Sequence, residues 1–245
     1  LKDVLFWAAN RQPVYLYGPA GTGKNVLAKQ VAEGLCLDFY YCGCLQNKYE
    51  LEGFIDAGGN YQETEFFKAF TQGGVFLFDE IDGTAAEVLI AFNAALANGY
   101  YNFPKYGKIK AHDNFVCIAA GNTVGRGAND AYNGRFQLDA STLDRFAFVE
   151  LDYDREIEIS AAGGDEELVD FIHTVRGEIN KSGLTYTASP RAIIRIAMCL
   201  KSGKTFEEGI KEGLTGSWDE NDTKRIASRI ENLNKYCETF KNMYK

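Results

Sequence analysis

Val14-Tyr15-Leu16-Tyr17-Gly18-Pro19-Ala20-Gly21-Thr22-Gly23-Lys24-Asn25 is the stretch on which the reading of this chain turns. Its first four residues, apolar or aromatic, predict a short buried strand, and a helical pattern runs from Asn25 to Gly34. Gly18 to Lys24 between them have the G-x-x-x-x-G-K spacing of a phosphate loop, in the strand-before, helix-after setting that such a loop requires. Glycines let the backbone turn tightly with its N–H groups pointing inward. The helix N-terminus adds partial positive charge, and Lys24 reaches the outer phosphates of a nucleotide. Asn25 departs from the pattern, which calls for a Ser or Thr whose hydroxyl binds Mg²⁺. An amide oxygen is also a hard ligand, so Asn25 either holds the metal in the hydroxyl's place or marks a loop that binds nucleotide and hydrolyses it poorly.

Outward from this loop, four- and five-residue apolar runs recur at Leu37 to Tyr41, Val75 to Phe78, Phe115 to Ala119 and Ala147 to Leu151. Helical patterns separate them, one carrying Val26, Leu27, Val31 and Leu35 and another Val88, Leu89, Phe92 and Leu96. The second is bounded by a Thr84-Ala85-Ala86-Glu87 capping box and by Gly99. Five strands alternating with helices predict an α/β P-loop domain, a doubly wound five-stranded parallel sheet, at 1–152. Beyond Asp154 only helical patterns remain, which predicts an all-helical domain of four helices at 153–245. Their apolar positions are Leu168 to Ile179, Ile193 to Leu200, Phe206 to Leu214 and Ile226 to Phe240, punctuated by Ser189-Pro190, a Thr205/Glu208 capping box, Gly183 and Gly203. Glu52 to Glu65 and Tyr100 to Ala111 read as hairpins.

Two further polar groups stand at strand ends. Val75 to Phe78 runs into Asp79-Glu80, and in a parallel sheet the ligand lies at the C-terminal strand edge, beside the phosphate loop. Asp79 there supports Mg²⁺ and Glu80 orients and deprotonates the attacking water. Asn122 follows the strand Phe115 to Ala119 after Ala120-Gly121.

Composition narrows the class. The chain has 245 residues, 46% hydrophobic and 24% charged, with a formal net charge of −8. Such a composition excludes disordered and fibrous classes and disfavours a basic nucleic-acid module. No apolar run approaches a membrane span and no signal peptide is read at the first residues, so no membrane partner is expected. Cysteines at 36, 42, 44, 117, 199 and 237 have no zinc-ligand spacing. Cys36, Cys117, Cys199 and Cys237 read as reduced core residues, in keeping with a cytoplasmic protein. GTP is disfavoured because Asn47-Lys48-Tyr49-Glu50 is only a misplaced near match to the guanine-reading N-K-x-D.

The phosphate loop, Asp79-Glu80, Asn122, then Leu143-Asp144-Arg145-Phe146 and Ser189-Pro190-Arg191 in a helical tail resemble an AAA+ ATPase. Within that class the chain is most similar to the MoxR-type and cobaltochelatase-subunit (dynein-related) branch, phage-borne relatives included. The resemblance implies that the phosphate loop binds ATP with Lys24 as its Walker A lysine. It makes Asp79 and Glu80 the Walker B pair and Asn122 the sensor-1 residue. Arg191 is then the sensor-2 arginine of a helical lid. It further makes Arg145 an arginine finger acting on the neighbouring subunit of a homo-oligomeric ring, a hexamer, with Arg135 and Arg126 of the glycine-rich stretch Gly125 to Gly134 as rivals. The branch remodels partner proteins, and a von Willebrand A-type metal-binding protein is the partner it suggests. A nucleic-acid-directed ATPase, using the hairpin lysines Lys105, Lys108 and Lys110, and a nucleotide-gated assembly module with weak hydrolysis are the alternatives.

Overall fold

Within Val14–Tyr17, Gly74–Phe78 and Phe115–Gly121, alternate side chains enter two different cores. Val14, Leu16, Val75, Leu77, Val116, Ile118 and Ala120 face one way, Tyr15, Phe76, Phe78, Cys117 and Ala119 the other. Both faces of these strands are buried, which is why they read as continuous apolar runs. These features come from a computed structural model that describes residues 1–128, 132–231 and 233–245.

In chain order the first elements are α1 (Lys2–Ala9), β1 (Val14–Tyr17), α2 (Lys24–Gly34), β2 (Phe39–Cys42), α3 (Lys48–Glu52), β3 (Phe54–Ile55) and β4 (Tyr61–Gln62). Then come α4 (Glu65–Gln72), β5 (Gly74–Phe78), α5 (Ala86–Asn98), β6 (Tyr100–Phe103), β7 (Gly107–Lys110), β8 (Phe115–Gly121), α6 (Ala140–Leu143) and β9 (Ala147–Glu150). All-helical chain follows, as α7 (Arg155–Ala161), α8 (Glu166–Ser182), α9 (Pro190–Lys201), α10 (Phe206–Ile210), α11 (Glu220–Arg229) and α12 (Lys235–Met243). The chain forms two compact units, Leu1–Gly18 with Gly23–Leu151, and Pro19–Thr22 with Asp152–Lys245.

The first unit holds the expected five-stranded parallel sheet, in the order β2-β5-β8-β1-β9. Its register sets Tyr17 beside Gly121 and Phe78 beside Ala119, so the ends of β1, β8 and β5 fall at one edge. α1 and α2 cover the aliphatic face; α4 and α5 cover the aromatic one, where Phe66, Phe70, Phe76, Phe78 and Phe92 pack together. Both hairpins form, β3 with β4 and β6 with β7.

Three local expectations are corrected. Val26 is 62% exposed, and α2 instead buries Lys24, Ala28, Val31 and Ala32, because the loop fixes the helix phase and small residues let α2 lie close on the sheet. Thr84 does not cap α5: its hydroxyl accepts from the Leu45 N–H at 3.3 Å, while Ile81–Gly83 forms a 3₁₀ turn and Ala85 is the N-cap. Cys36 is exposed at φ 53°, not a core residue.

The helical unit packs around Phe171, Ile172, Ile193, Ile196 and Phe240. Four helices were expected here, but the structure adds α7 and divides the last. α7 lacks an apolar stripe because its buried position is Glu158, paired with Arg176 and His173. Ile226 to Phe240 is two helices because Asn234 adopts extended backbone and accepts from the Tyr236 and Cys237 N–H groups, starting α12 afresh. Residue 232, within this break, lies outside the described residues. The Thr205/Glu208 capping box forms with both its bonds, and Gly183 ends α8 in the left-handed conformation. Among the described residues no helix is long and apolar enough to cross a membrane.

Candidate nucleotide site

β1 delivers the chain into the loop at Gly18, whose φ of 145° no side chain tolerates well and where a Cβ would meet the Leu151 carbonyl oxygen at 1.9 Å. At the far end, Gly23 is the left-handed N-cap of α2 at φ 84°. The first N–H groups of α2 have no intrahelical partner, as in any helix, which makes this terminus an anion cradle. Lys24 is buried, with Nζ donating to the Gly18 carbonyl at 2.8 Å and to Asn122 Oδ1 at 3.2 Å. These bonds bring the phosphate-loop lysine and the Asn beyond β8 together across 98 residues of sequence. The middle of the loop groups with the helical unit, where Thr22 Oγ1 donates to the Pro19 carbonyl at 3.0 Å and the Tyr153 hydroxyl to the Ala20 carbonyl at 3.0 Å.

Asn25 donates its amide Nδ2 to Asp79 Oδ2 at 2.9 Å. The pair faces the same strand edge as Lys24 because α2 begins and β5 ends there. Asp79 is further fixed through its N–H, which donates to the Cys42 carbonyl at 2.8 Å, and through Oδ1, which accepts from the Glu80 N–H at 3.0 Å. Partial burial, and after it the charge of the nearby Asp79 carboxylate, holds the Tyr41 phenol above its ordinary value.

Glu80 takes left-handed backbone, φ 52° and ψ 37°, uncommon for a residue with a side chain and a mark of a constrained turn. Its Oε1 accepts from Arg135 Nη2 at 3.2 Å. Arg135 also reaches Asp82, with Nη1 3.2 Å from Oδ1. Asp82 is completely buried, and its Oδ2 accepts from the Asn122 N–H, the Thr123 N–H and the Thr123 hydroxyl at 3.2, 3.1 and 3.0 Å. Tyr15, whose hydroxyl donates to the Thr123 carbonyl, has its phenol pushed up by burial and then by the Asp82 charge.

Sequence reasoning missed the structural weight of Asp82 and Thr123 and read Arg135 only as a rival finger. The signal available was the third carboxylate in Asp79-Glu80-Ile81-Asp82. A fully solvated turn does not need it, but a buried bridge to Asn122 does.

The remaining expected residues fall elsewhere. Arg145 donates to the Ser141 carbonyl and lines a cleft of about 470 Å³ with Leu89, Ile90, Asn93 and Thr142, apart from the Lys24 and Asp79 cluster. Arg126 is exposed and bridges Gln137 through its backbone. Of the stretch Gly125 to Gly134, residues 129–131 lie outside the described residues. Arg191 is exposed in the first turn of α9, in the helical unit.

The residues present fit a magnesium nucleotide. A Gly-lined turn, a helix N-terminus and a buried lysine suit phosphate oxygens. Asp79 with the free oxygen of the Asn25 amide offers Mg²⁺ hard ligands. Among the described residues no three His, Cys, Asp or Glu side chains converge as a metal cage. A Mg²⁺ ion held by Asp79 and Asn25 would draw the rest of its shell from phosphate and water, as Mg²⁺ commonly does.

Solved structures share the fold. RuvB from Thermotoga maritima, solved as two point variants, is 18% identical over 99% of this chain and 85% of that one with a TM-score of 0.57, and 19% identical over 92% and 73% with a TM-score of 0.55. NtrX from Brucella abortus in complex with ATP is 15% identical over 80% of this chain, with a TM-score of 0.51. This chain spans about half the length of NtrX, 45% in that structure. At such identities the likeness is one of fold. No curated protein matches the sequence. The model of the AAA domain, dynein-related subfamily, matches residues 13–146, more than half of the chain, and on that ground the chain belongs to this AAA family.

Proposed function

We propose that the chain is a Mg²⁺-dependent ATP hydrolase that works in a homo-oligomeric ring, a hexamer, and uses the ATP cycle to remodel a partner protein. One observation carries the nucleotide reading: Lys24, the Asn25–Asp79 pair, Glu80 and Asn122 meet where β1, β5 and β8 end, linked by direct hydrogen bonds. The loop and Lys24 hold the phosphates. Asp79 and Asn25 hold Mg²⁺, which when bound neutralises charge on the phosphoryl oxygens. Glu80 takes a proton from the attacking water, Asn122 helps to orient that water, and Arg191 serves as the lid arginine. Remodelling of a partner, with a von Willebrand A-type metal-binding protein as the first to test, rests on likeness to the MoxR-type branch, an analogy of family.

Calorimetry of Mg²⁺-ATP binding tests the nucleotide reading. Lys24→Ala should lose measurable binding, and a Lys24→Ala chain with wild-type affinity would refute the phosphate-loop assignment.

A second reading, an ATPase directed by nucleic acid, is supported by the β6–β7 hairpin, where Lys108 Nζ sits 3.6 Å from the Tyr100 ring centroid and Tyr106 is exposed. The charge of −8 argues against it. Binding of a single-stranded oligonucleotide at two salt concentrations separates the two, since phosphate contacts weaken steeply with salt.

A further inference from the structure

Arg135 occupies a position that neither a solvated loop charge nor a finger for a neighbouring subunit explains. Its backbone is pinned beside Asp82 by its neighbours, with the Phe136 N–H donating to the Asp82 carbonyl at 2.6 Å and the Leu138 N–H to the Gly125 carbonyl at 2.8 Å. Its side chain is 15% exposed and divides its two terminal nitrogens between Asp82, 0% exposed, and Glu80, 50% exposed. One carboxylate of this bridge is immovable, since Asp82 also accepts three bonds from Asn122 and Thr123. The other belongs to a side chain that solvent would otherwise leave free to choose among rotamers. The planar guanidinium fork transmits the fixed position of Asp82 to Glu80, a task for which a flexible ammonium point charge is poorly suited. Because Asp82 also binds the Asn122 N–H, one buried carboxylate sets both the base and the asparagine that share the water.

We infer that Arg135 is a positioning residue acting within its own subunit, a strut from buried Asp82 that orients Glu80 for proton abstraction. The inference rests on the hydrolase reading above. On this reading Arg135 acts on its own Glu80 and not on a neighbouring site, since one donor of each terminal nitrogen is held by Asp82 and Glu80.

The test is a kinetic double-mutant cycle between Arg135 and Glu80, with a spectroscopic arm that needs no turnover. Arg135→Ala should lower kcat by about 10- to 100-fold, the scale of a misplaced group, while the Kd for Mg²⁺-ATP stays within about twofold. Arg135→Lys should recover part of the loss. In a Glu80→Gln background Arg135→Ala should cost less than about twofold more, since the residue acts through Glu80. Equal losses in both backgrounds, or faster hydrolysis in Arg135→Ala, would overturn the role.

Mixing Arg135→Ala with Glu80→Gln subunits should restore no turnover, because both lesions strike the same subunit's base; recovery would make Arg135 a finger in trans. In nitrogen NMR of the nucleotide-free chain, the Arg135 guanidinium should give resolved Nη signals, one of which moves on Glu80→Gln. A spectrum indifferent to that substitution would deny the ion pair. Wild-type protein that binds ATP and releases no phosphate would refute hydrolysis and with it the role of Arg135, while the guanidinium spectrum would still decide whether the pair exists.

Discussion

Asn25 stands where the phosphate-loop pattern calls for Ser or Thr, and it is bonded to Asp79. Its amide nitrogen donates to Asp79 as a serine or threonine hydroxyl could, which leaves the amide oxygen as the atom that would meet a cation. If that oxygen is a Mg²⁺ ligand, Asn25→Thr should hydrolyse ATP at least as fast as wild type, whereas Asn25→Leu should be slower and need more Mg²⁺. Phosphate release across a Mg²⁺ titration checks this, and three superimposable curves would remove Asn25 from the metal shell. Gly18 and Asp79 drew notice because each directly follows an apolar strand, Glu80 and Asn122 because they come soon after one, and Lys24 because it closes the glycine loop between β1 and α2, all at the edge where a parallel sheet places its ligand. Asp82 and Arg135 were not, because their meaning lies in a bond across 53 residues and in burial, neither of which a local pattern encodes.

Among the elements, strands were easier to read than helices. The sheet strands buried on both faces leave no choice but an apolar run, and Gly or Asp closes each one near the site. Helix faces are subtler: α2 buries Lys24 and two alanines against the sheet and sends Val26 to solvent, so a stripe drawn through the larger aliphatics misplaces the inner face. α7 went unseen because its inward residue is the charged Glu158. The division between α11 and α12 turns on one side chain. Asn234 caps α12 through its Oδ1 and also donates Nδ2 to the Glu167 carbonyl at 2.9 Å, tying the break to α8. Asn234→Ala should therefore destabilise the chain by about 1 kcal/mol, the usual worth of such a cap. Urea denaturation would report it as a lower midpoint at unchanged slope, and an unchanged midpoint would mean that α12 is started by its packing alone.

For the whole molecule, the composition and the switch from alternating strands and helices to helices alone gave the α/β region and the helical C-terminal region in the right order. The sequence could not tell that Pro19–Thr22 would group with the helices, since only tertiary contacts decide that. Arg145 lines a cleft with Leu89, Ile90, Asn93 and Thr142. The proposed ring then predicts that Arg145→Ala and Glu80→Gln subunits, each nearly inactive alone, recover part of the turnover when mixed. An arginine finger is worth about 10³ to 10⁵ in rate, so a minority of rebuilt sites would be visible. No recovery in mixtures that co-assemble by sizing would make Arg145 structural. If this strand edge hydrolyses ATP with Glu80 as its base, phosphate release by wild-type and Glu80→Gln protein, each shown to bind Mg²⁺-ATP, reports it. Binding should be equal and turnover lower by about 10² or more in Glu80→Gln; equal phosphate release from the two proteins would contradict a base role for Glu80.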